Sequence, residues 1–219
     1  METIAVLDFE TTGEPASQGG RATEIAIALV RGGQIVDRFQ SLMNAGAFIT
    51  PFAEELTGIT NEMIRKAPSA RSVMQEAVKF VQGSSLAAHN AAFDSKFWES
   101  ESLLATGDAS GTFICTLLLA RRIYPGAPDH KLSTLARHLR IQANGRAHRA
   151  MVDAEMAAGL LSKLQESISG KLRLAVVPHA FLARAQRIPK NDIVAKLPQL
   201  AAEMRLPRLP AADRASLRS

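Results

Sequence analysis

The chain reads as an α/β protein, a mixed central sheet flanked by helices with a C-terminal extension. Three observations predict this. Strand-like apolar runs dominate the first forty residues, helical periodicities then alternate with short apolar runs, and a basic, proline-punctuated segment follows residue 169. With 219 residues, 47% of them hydrophobic, the chain has material for one sizeable core and an appendage.

The first strand spans residues 3 to 10, and a second runs through Glu24-Ile25-Ala26-Ile27-Ala28-Leu29-Val30. Gly32-Gly33 supplies the positive φ values of a tight hairpin, so a third strand from Ile35 completes an antiparallel meander. Pro51 opens a short amphipathic helix, with Phe52, Leu56 and Ile59 at its spacing, that ends near Gly58. Val73, Ala77, Val78 and Val81 form one apolar stripe after a Ser69 cap, which predicts a helix over 69–81. Ser85 to His89 reads as a short buried strand. Phe93, Phe97 and Trp98 then place a helix over 94–104, a short strand over 112–115 leads into a helix over 116–123, and Pro125-Gly126 stops it. Helices over 131–139 and 150–165 follow, the second with an Ala/Leu/Met face.

Neither a long apolar span nor a charged-then-apolar leader is present, so a cytoplasmic protein with no membrane contact is expected. Cys115 has no second cysteine to pair with and no ligand cluster around it, and a buried core position is expected. Charge is segregated. Residues 1–169 carry a net −2, whereas residues 170–219 carry a net +7 from 10 Lys/Arg against 3 Asp/Glu. A basic extension suits a polyanion, and a solvated, partly ordered arm is the alternative. Five prolines cut this segment, yet Val176, Val177, Phe181, Leu182, Ile193, Val194, Leu197 and Leu200 are too apolar for simple disorder. Packing back onto the body is expected, with a protein partner as the other way to cover them.

The chemistry begins at Asp8 and Glu10. Successive strand side chains face opposite ways, so residues 8 and 10 aim two carboxylates at one point, where their repulsion calls for a cation. Asp94, at the first turn of a helix that follows a strand, can return its carboxylate to the same mouth of the sheet. Asp153 lies in the first turn of another helix, and His148 precedes it by five residues behind a polar stretch. Five residues turn an ideal helix by about 140° net, so His148 projects from the loop rather than sharing Asp153's face. Taken singly, each aspartate is a helix cap or dipole partner and the histidine an exposed loop residue; the ordered set carries the argument.

That set, Asp8-Phe9-Glu10-Thr11-Thr12-Gly13, then His89-Asn90-Ala91-Ala92-Phe93-Asp94, then His148-Arg149-Ala150-Met151-Val152-Asp153, resembles the three motifs of the DEDDh group of 3′–5′ exonucleases. This group includes proofreading subunits of bacterial replicative polymerases and several RNA-trimming enzymes. The resemblance covers residues 1 to 166, with Leu56-Thr57-Gly58-Ile59 and Lys131 to Ala136 included. It implies a ribonuclease-H-like exonuclease domain over 1–169, with residues 170–219 as the extension. It also implies that Thr11, Thr12 and Gly13 approach the terminal nucleotide, that Ile59 packs beside its base, and that His89, Asn90 and Phe93 line the same pocket. For Ile59 and Phe93 plain core packing is the competing reading.

Asp8, Glu10, Asp94 and Asp153 are hard oxygen ligands suited to two Mg²⁺ or Mn²⁺ ions, which in such centres stand about 3.5–4 Å apart. His148 suits the general base. The expected substrate is the 3′ end of single-stranded nucleic acid, DNA before RNA, with nucleoside 5′-monophosphates as product. A polymerase or other protein is the expected class of partner for the extension. An RNA-trimming enzyme of the same family and a noncatalytic, nucleic-acid-binding accessory subunit are the alternatives; the second would be expected to have lost an acid or the histidine, and neither loss has occurred.

Overall fold

The computed structural model describes residues 1–109, 111–142 and 149–210. Strands β1 (Thr3–Thr11), β2 (Ala22–Arg31) and β3 (Gln34–Leu42) form the antiparallel meander, and Gly32 and Gly33 turn the β2–β3 hairpin at φ 59° and 78°. Both values lie where a side chain would be strained and glycine is not. Beyond the meander, β4 (Ser85–Ala88) pairs parallel to β1, and β5 (Phe113–Cys115) parallel to β4. The sheet order is β3-β2-β1-β4-β5, which puts β1 at the centre.

Helices cover both faces: α1 (Pro51–Thr57), α2 (Asn61–Lys66), α3 (Ala70–Phe80), α4 (Asp94–Thr106), α5 (Thr116–Ile123), α6 (Leu132–His138), α7 (Ala150–Leu172), α8 (His179–Ala185) and α9 (Ile193–Glu203). Strand alternation assigns the faces. Ala5, Leu7, Phe9, Ile25 and Ile27 pack with Met74, Ala77 and Phe97 of α3 and α4. Ile4, Val6, Ala28 and Val30 pack with Leu119 of α5 and with Leu160, Leu161 and Leu164 of α7. Small residues bring α7 close to the sheet, since Ala26 meets Ala150 and Ala154.

Local chemistry fixes the shorter helices. Thr50 caps α1 by accepting from the Ala53 N–H, Pro51 starts it, and Gly58 at φ 74° ends it. This end agrees with the one expected near Gly58, and Ile59 lies beyond the left-handed turn. The separate α2, absent from the sequence-based reading, is capped by the Thr60 side chain on the Met63 N–H. Ser69 caps α3 as predicted.

The largest departure is at the C-terminal end. α7 runs to Leu172 rather than residue 165, because buried Ile168 continues the stripe of Leu161 and Leu164, and Arg173 in the left-handed region stops it. The expected boundary at 169/170 thus falls inside a helix. Beyond it, Leu174, Val177, Phe181, Leu182, Ile193, Leu197 and Leu200 join the same core cluster as Ile4 and Val6. Six of the eight apolar residues singled out in the extension therefore pack onto the body of the protein, whereas Val176 and Val194 stay exposed. Polar contacts bolt them down. The Gln186 side chain accepts from the Cys115 N–H (2.7 Å) and donates to the Phe113 carbonyl (3.2 Å), acting as a sixth strand in miniature on the β5 edge. The His179 ring donates to the Leu86 carbonyl at 3.0 Å, and Arg122 donates to the Ile188 carbonyl at 2.6 Å. Cys115 is buried and unpaired. Among the described residues no helix is long and apolar enough to cross a membrane.

Because Phe181 is fully buried in the shared core, Phe181→Ala is expected to cost about 3–5 kcal/mol in denaturant unfolding monitored on the whole chain. An unchanged midpoint would mean that the extension is energetically separate from the sheet.

Candidate active site

Asp8 and Glu10 continue the Ile4–Val6 face of β1 past the end of its pairing with β4, so they turn toward α7 where the apolar layer stops. The first turn of α7 supplies Asp153. One carboxylate oxygen from each of Asp8, Glu10 and Asp153 lies within 4.8 Å of the others. Asp94 comes from the other side of the sheet. Asn90, at φ 64°, turns the chain after β4, its carbonyl accepts from the Phe93 N–H at 2.9 Å, and α4 begins at Asp94. The Asp94 Oδ1 then accepts from the Phe9 N–H at 3.2 Å, which pins this carboxylate to β1 between residues 8 and 10.

Crowding like charges in a half-buried site disfavours their ionised forms. Asp8 is raised well above the ordinary aspartate value by burial, then by Asp94, Glu10 and Asp153. Glu10 is pushed up to about 8 by burial first and by Asp153 and Glu24 after it, with Arg149 opposing. Asp94 is raised to about 7, again chiefly by burial, against the lowering effect of the Phe9 N–H. Such a set of oxygen donors, unable to ionise fully on its own, fits a divalent cation, whose charge would restore the carboxylates.

The cleft that opens over Asp8 and Asp153 measures about 1030 Å³, and His89, Asn90, Leu117, Arg121, His130 and Lys131 are among its walls. His89 is held at both ring nitrogens, 3.2 Å from the His130 carbonyl and 3.0 Å from the Thr116 hydroxyl. A carbonyl only accepts, so Nε2 carries the proton and Nδ1 receives the hydroxyl. Burial lowers its pKa to about 4, which keeps the ring neutral near pH 7. Phe93 is half-exposed beside Asp94 and meets Phe97 in a tilted ring contact, with centroids 4.9 Å apart.

The Thr11-Thr12-Gly13 segment lies directly after Glu10. Thr11 caps it locally, its hydroxyl accepting from the Gly13 N–H at 3.3 Å. Thr12 is buried, exchanges bonds with Arg21 and accepts from the Thr50 N–H through its carbonyl. Gly13 has φ 105°, and a Cβ there would collide with the Thr50 hydroxyl. Ile59 is not brought to the cleft. It is fully buried with Ile49, Ala53 and Ile64. Phe48, Phe52 and Leu56 are the exposed apolar residues of that region. His148 lies outside the described residues.

Four residues that sequence reasoning passed over frame the site. Glu24 stands directly across from Glu10 in the β1–β2 register and pairs with Arg149 at 2.9 Å. Glu101 of α4 pairs with Arg21 through two bonds of 2.7 and 2.9 Å and accepts from the Ala22 N–H. Glu24 and Glu101 are each 1% exposed. Glu24 sits on the even-numbered face of the strand, where the pattern of β2 demands an apolar residue. That break in the pattern was the available signal.

An exonuclease family model, RNase_T, matches residues 5–161. The DNA polymerase III PolC-type protein of Oceanobacillus iheyensis is 36% identical over 78% of this chain, which spans only 12% of that protein's length. The DNA polymerase III subunit epsilon of Aquifex aeolicus is 32% identical over 76% of this chain and 82% of its own. Among solved structures, Exonuclease X in complex with 5′-overhanging duplex DNA superposes with a TM-score of 0.62 at 25% identity, covering 82% of this chain and 99% of the other. The resemblance drawn from the three motifs and the mixed-sheet fold it implied are both borne out.

Raised carboxyl pKa values carry a sign for stability. Glu10 binds its proton more tightly folded than unfolded, so its contribution is favourable below the ordinary value of 4.5 and is lost as pH rises through about 8. Glu10→Gln removes that penalty. In EDTA the variant is expected to melt above the parent at pH 8, with the difference vanishing toward pH 4.5, and Mn²⁺ is expected to raise the melting temperature of the parent more than that of the variant. A parent more stable than the variant at pH 8 in EDTA would contradict the crowding of these charges.

Proposed function

We propose, from the premise that this chain belongs to the exonuclease family, that it removes nucleotides one at a time from the 3′ end of single-stranded nucleic acid, DNA in preference to RNA. The observation that carries this is the convergence of Asp8, Glu10 and Asp153 within 4.8 Å beside the cleft that Asp8 and Asp153 line, with Asp94 bonded to the same strand. The DNA-polymerase names of the relatives favour DNA.

In this reading the four carboxylates hold two divalent cations, Mg²⁺ or Mn²⁺, which when bound supply Lewis-acid stabilisation of an in-line displacement at phosphorus. His148 takes a proton from the attacking water, whose oxygen bonds to phosphorus as the bond to the 3′ oxygen of the preceding nucleotide breaks. That oxygen leaves as a hydroxyl once protonated, and the terminal nucleotide departs as a 5′-monophosphate. Neutral His89 keeps Thr116 and the His130 loop in register at the cleft wall rather than exchanging protons. Thr11, the backbone of Thr12 and Gly13, Asn90 and half-exposed Phe93 hold the terminal nucleotide. Stacking on an aromatic side chain of this kind is worth about 1–3 kcal/mol per base and reads no sequence.

Further along the strand, the cleft wall is cationic at Arg121 and Lys131. Arg122, the next residue of α5, is bonded to the turn after α8, which presents Arg187 and Lys190 to solvent. These side chains offer phosphate contacts outside the catalytic centre. The tail's proposed role as a contact for a polymerase rests on the same exposed cationic face, since most of its large apolar residues are buried inward, Val176, Val194 and Leu209 excepted.

Asp8→Asn and Asp153→Asn are expected to abolish digestion of end-labelled single-stranded DNA, as is EDTA, with the fold retained by circular dichroism. Full turnover in either variant removes the reading. His148→Ala is expected to slow digestion by about 10²–10⁴-fold while calorimetric Mn²⁺ binding persists; lost binding would make His148 a ligand instead. Parallel digestion of mismatched primer-template and short RNA decides the substrate class.

Replacing Arg187 and Lys190 together by Ala tests the extension without stripping the core. The slope of log affinity against log salt for single-stranded DNA is expected to flatten by about 0.7 for each phosphate that the variant no longer neutralises. An unchanged slope assigns the extension to packing alone.

A further inference from the structure

Glu24 is a charged residue in a place the fold alone would fill with an apolar one. Its neighbours on that face of the sheet are Ala26, Ala150 and Ala154, and it is 1% exposed. Every acceptor position is used. Oε1 takes bonds from Gln40 Nε2 (2.9 Å) and Arg149 Nη2 (2.9 Å), and Oε2 takes bonds from Arg149 Nε (3.3 Å) and the Ala150 N–H (3.2 Å). Burying the Glu24 carboxylate returns little stability, because its desolvation offsets the attraction of the partly exposed Arg149. A role other than stability is called for.

The bonds lead to Asp153. The Arg149 carbonyl accepts from the Val152 N–H at 2.9 Å and from the Asp153 N–H at 3.2 Å. Glu24 therefore holds the side chain of the residue whose backbone holds Asp153, and it also grips the first N–H of α7. On its other side Glu24 is the β2 partner of Glu10. One side chain thus ties the strand position opposite one acid to the helix turn that delivers another. Arg149 also cancels the charge of Glu24, which would otherwise be a fifth carboxylate beside four.

We infer that Glu24 and Arg149 are positioning residues for the cation site, setting Asp153 against Asp8 and Glu10 and keeping the local charge at that of four carboxylates. This rests on the reading of those acids as cation ligands. A partner one bond removed from a ligand commonly changes metal affinity or activity by about 10–100-fold when it is removed.

The decisive variant is Arg149→Met. It keeps the apolar stem of a side chain that is 39% exposed, so the fold should survive. With the full-length protein and end-labelled single-stranded DNA, the half-activating Mg²⁺ concentration is expected to rise about tenfold or more and kcat to fall by about 10–100-fold, with KM for the oligonucleotide unchanged. Calorimetric Mn²⁺ affinity should fall in parallel, and Arg149→Lys should recover part of both losses by restoring the charge without the fork. Glu24→Gln is expected to behave like Arg149→Met. Arg38→Met serves as the control, since it removes the Arg38–Glu155 pair that also joins α7 to the sheet and should leave the cation requirement as in the parent. A folded Arg149→Met with the parental cation requirement overturns the inference, and so does a loss of activity at unchanged cation affinity. The underlying reading is tested separately by Asp8→Asn. If that variant is inactive while Arg149→Met is unaffected, only the inference falls; if Asp8→Asn stays active, the cation site itself falls.

Discussion

Burial of carboxylates at the end of β1, compounded by their mutual repulsion, is the constraint around which this fold is arranged. A sheet is stiff, so an Asp-x-Glu on its central strand fixes two charges in space with no freedom to separate. The cost is visible in Glu10, pushed to about 8, and in Asp94, pushed to about 7, by burial first and by the neighbouring carboxylates after it. Parallel pairing of β4 with β1 makes that cost useful. It brings the exit of β4, and with it the start of α4 and Asp94, to the same end of the sheet as Asp8 and Glu10.

How each acid arrives determines how well it could be read from sequence. Asp8 and Glu10 follow from strand alternation alone, and the strand, hairpin and most helix positions follow from periodicity, caps and glycine. Asp94 and Asp153 were visible as helix-start aspartates, but only their order along the chain raised them above caps. For Ile59 the family motif points to the terminal base and the fold shows its side chain packed with Ile49, Ala53 and Ile64. The end of α7 was missed because Ser167, Ser169 and Gly170 look like punctuation. Buried Ile168 outweighs them, consistent with tertiary packing deciding helix length where propensity is weak. Glu24–Arg149 and Arg21–Glu101 join residues 125 and 80 positions apart, and no local pattern reports such a pairing.

The extension illustrates the same limit from the other side. Its prolines and net charge pointed to a separate arm, and its apolar residues to something covered. Both signals were real. Pro178 and Pro189 open helical segments rather than abolish them, and Arg184 and Lys196 lie on the outward faces of α8 and α9, whose inward faces complete the core over α5 and α7. Gln186 then occupies the hydrogen-bonding edge of β5, which a strand from another chain would otherwise be free to use. Composition reports what a segment contains, whereas the edge it closes depends on where the sheet ends.

The two ion pairs made by buried Glu24 and Glu101 explain why the site can be assembled from opposite faces of one sheet. α4 packs on one face and α7 on the other, and a carboxylate from each must meet those of β1. Hydrophobic contact sets such a helix only loosely along its axis, since one leucine slides over another at little cost, but a bidentate bond between a guanidinium and a carboxylate tolerates no such shift. Both bonds are made at the beginning of β2, by Arg21 to Glu101 of α4 and by Glu24 to Arg149 at the start of α7. β2 thereby becomes a common reference for the two helices. Through Thr12, which exchanges bonds with Arg21, the same reference extends to the segment that follows Glu10. A short stretch of β2 that contributes no acid to the cluster of Asp8, Glu10 and Asp153 thus fixes the relative placement of every element that does.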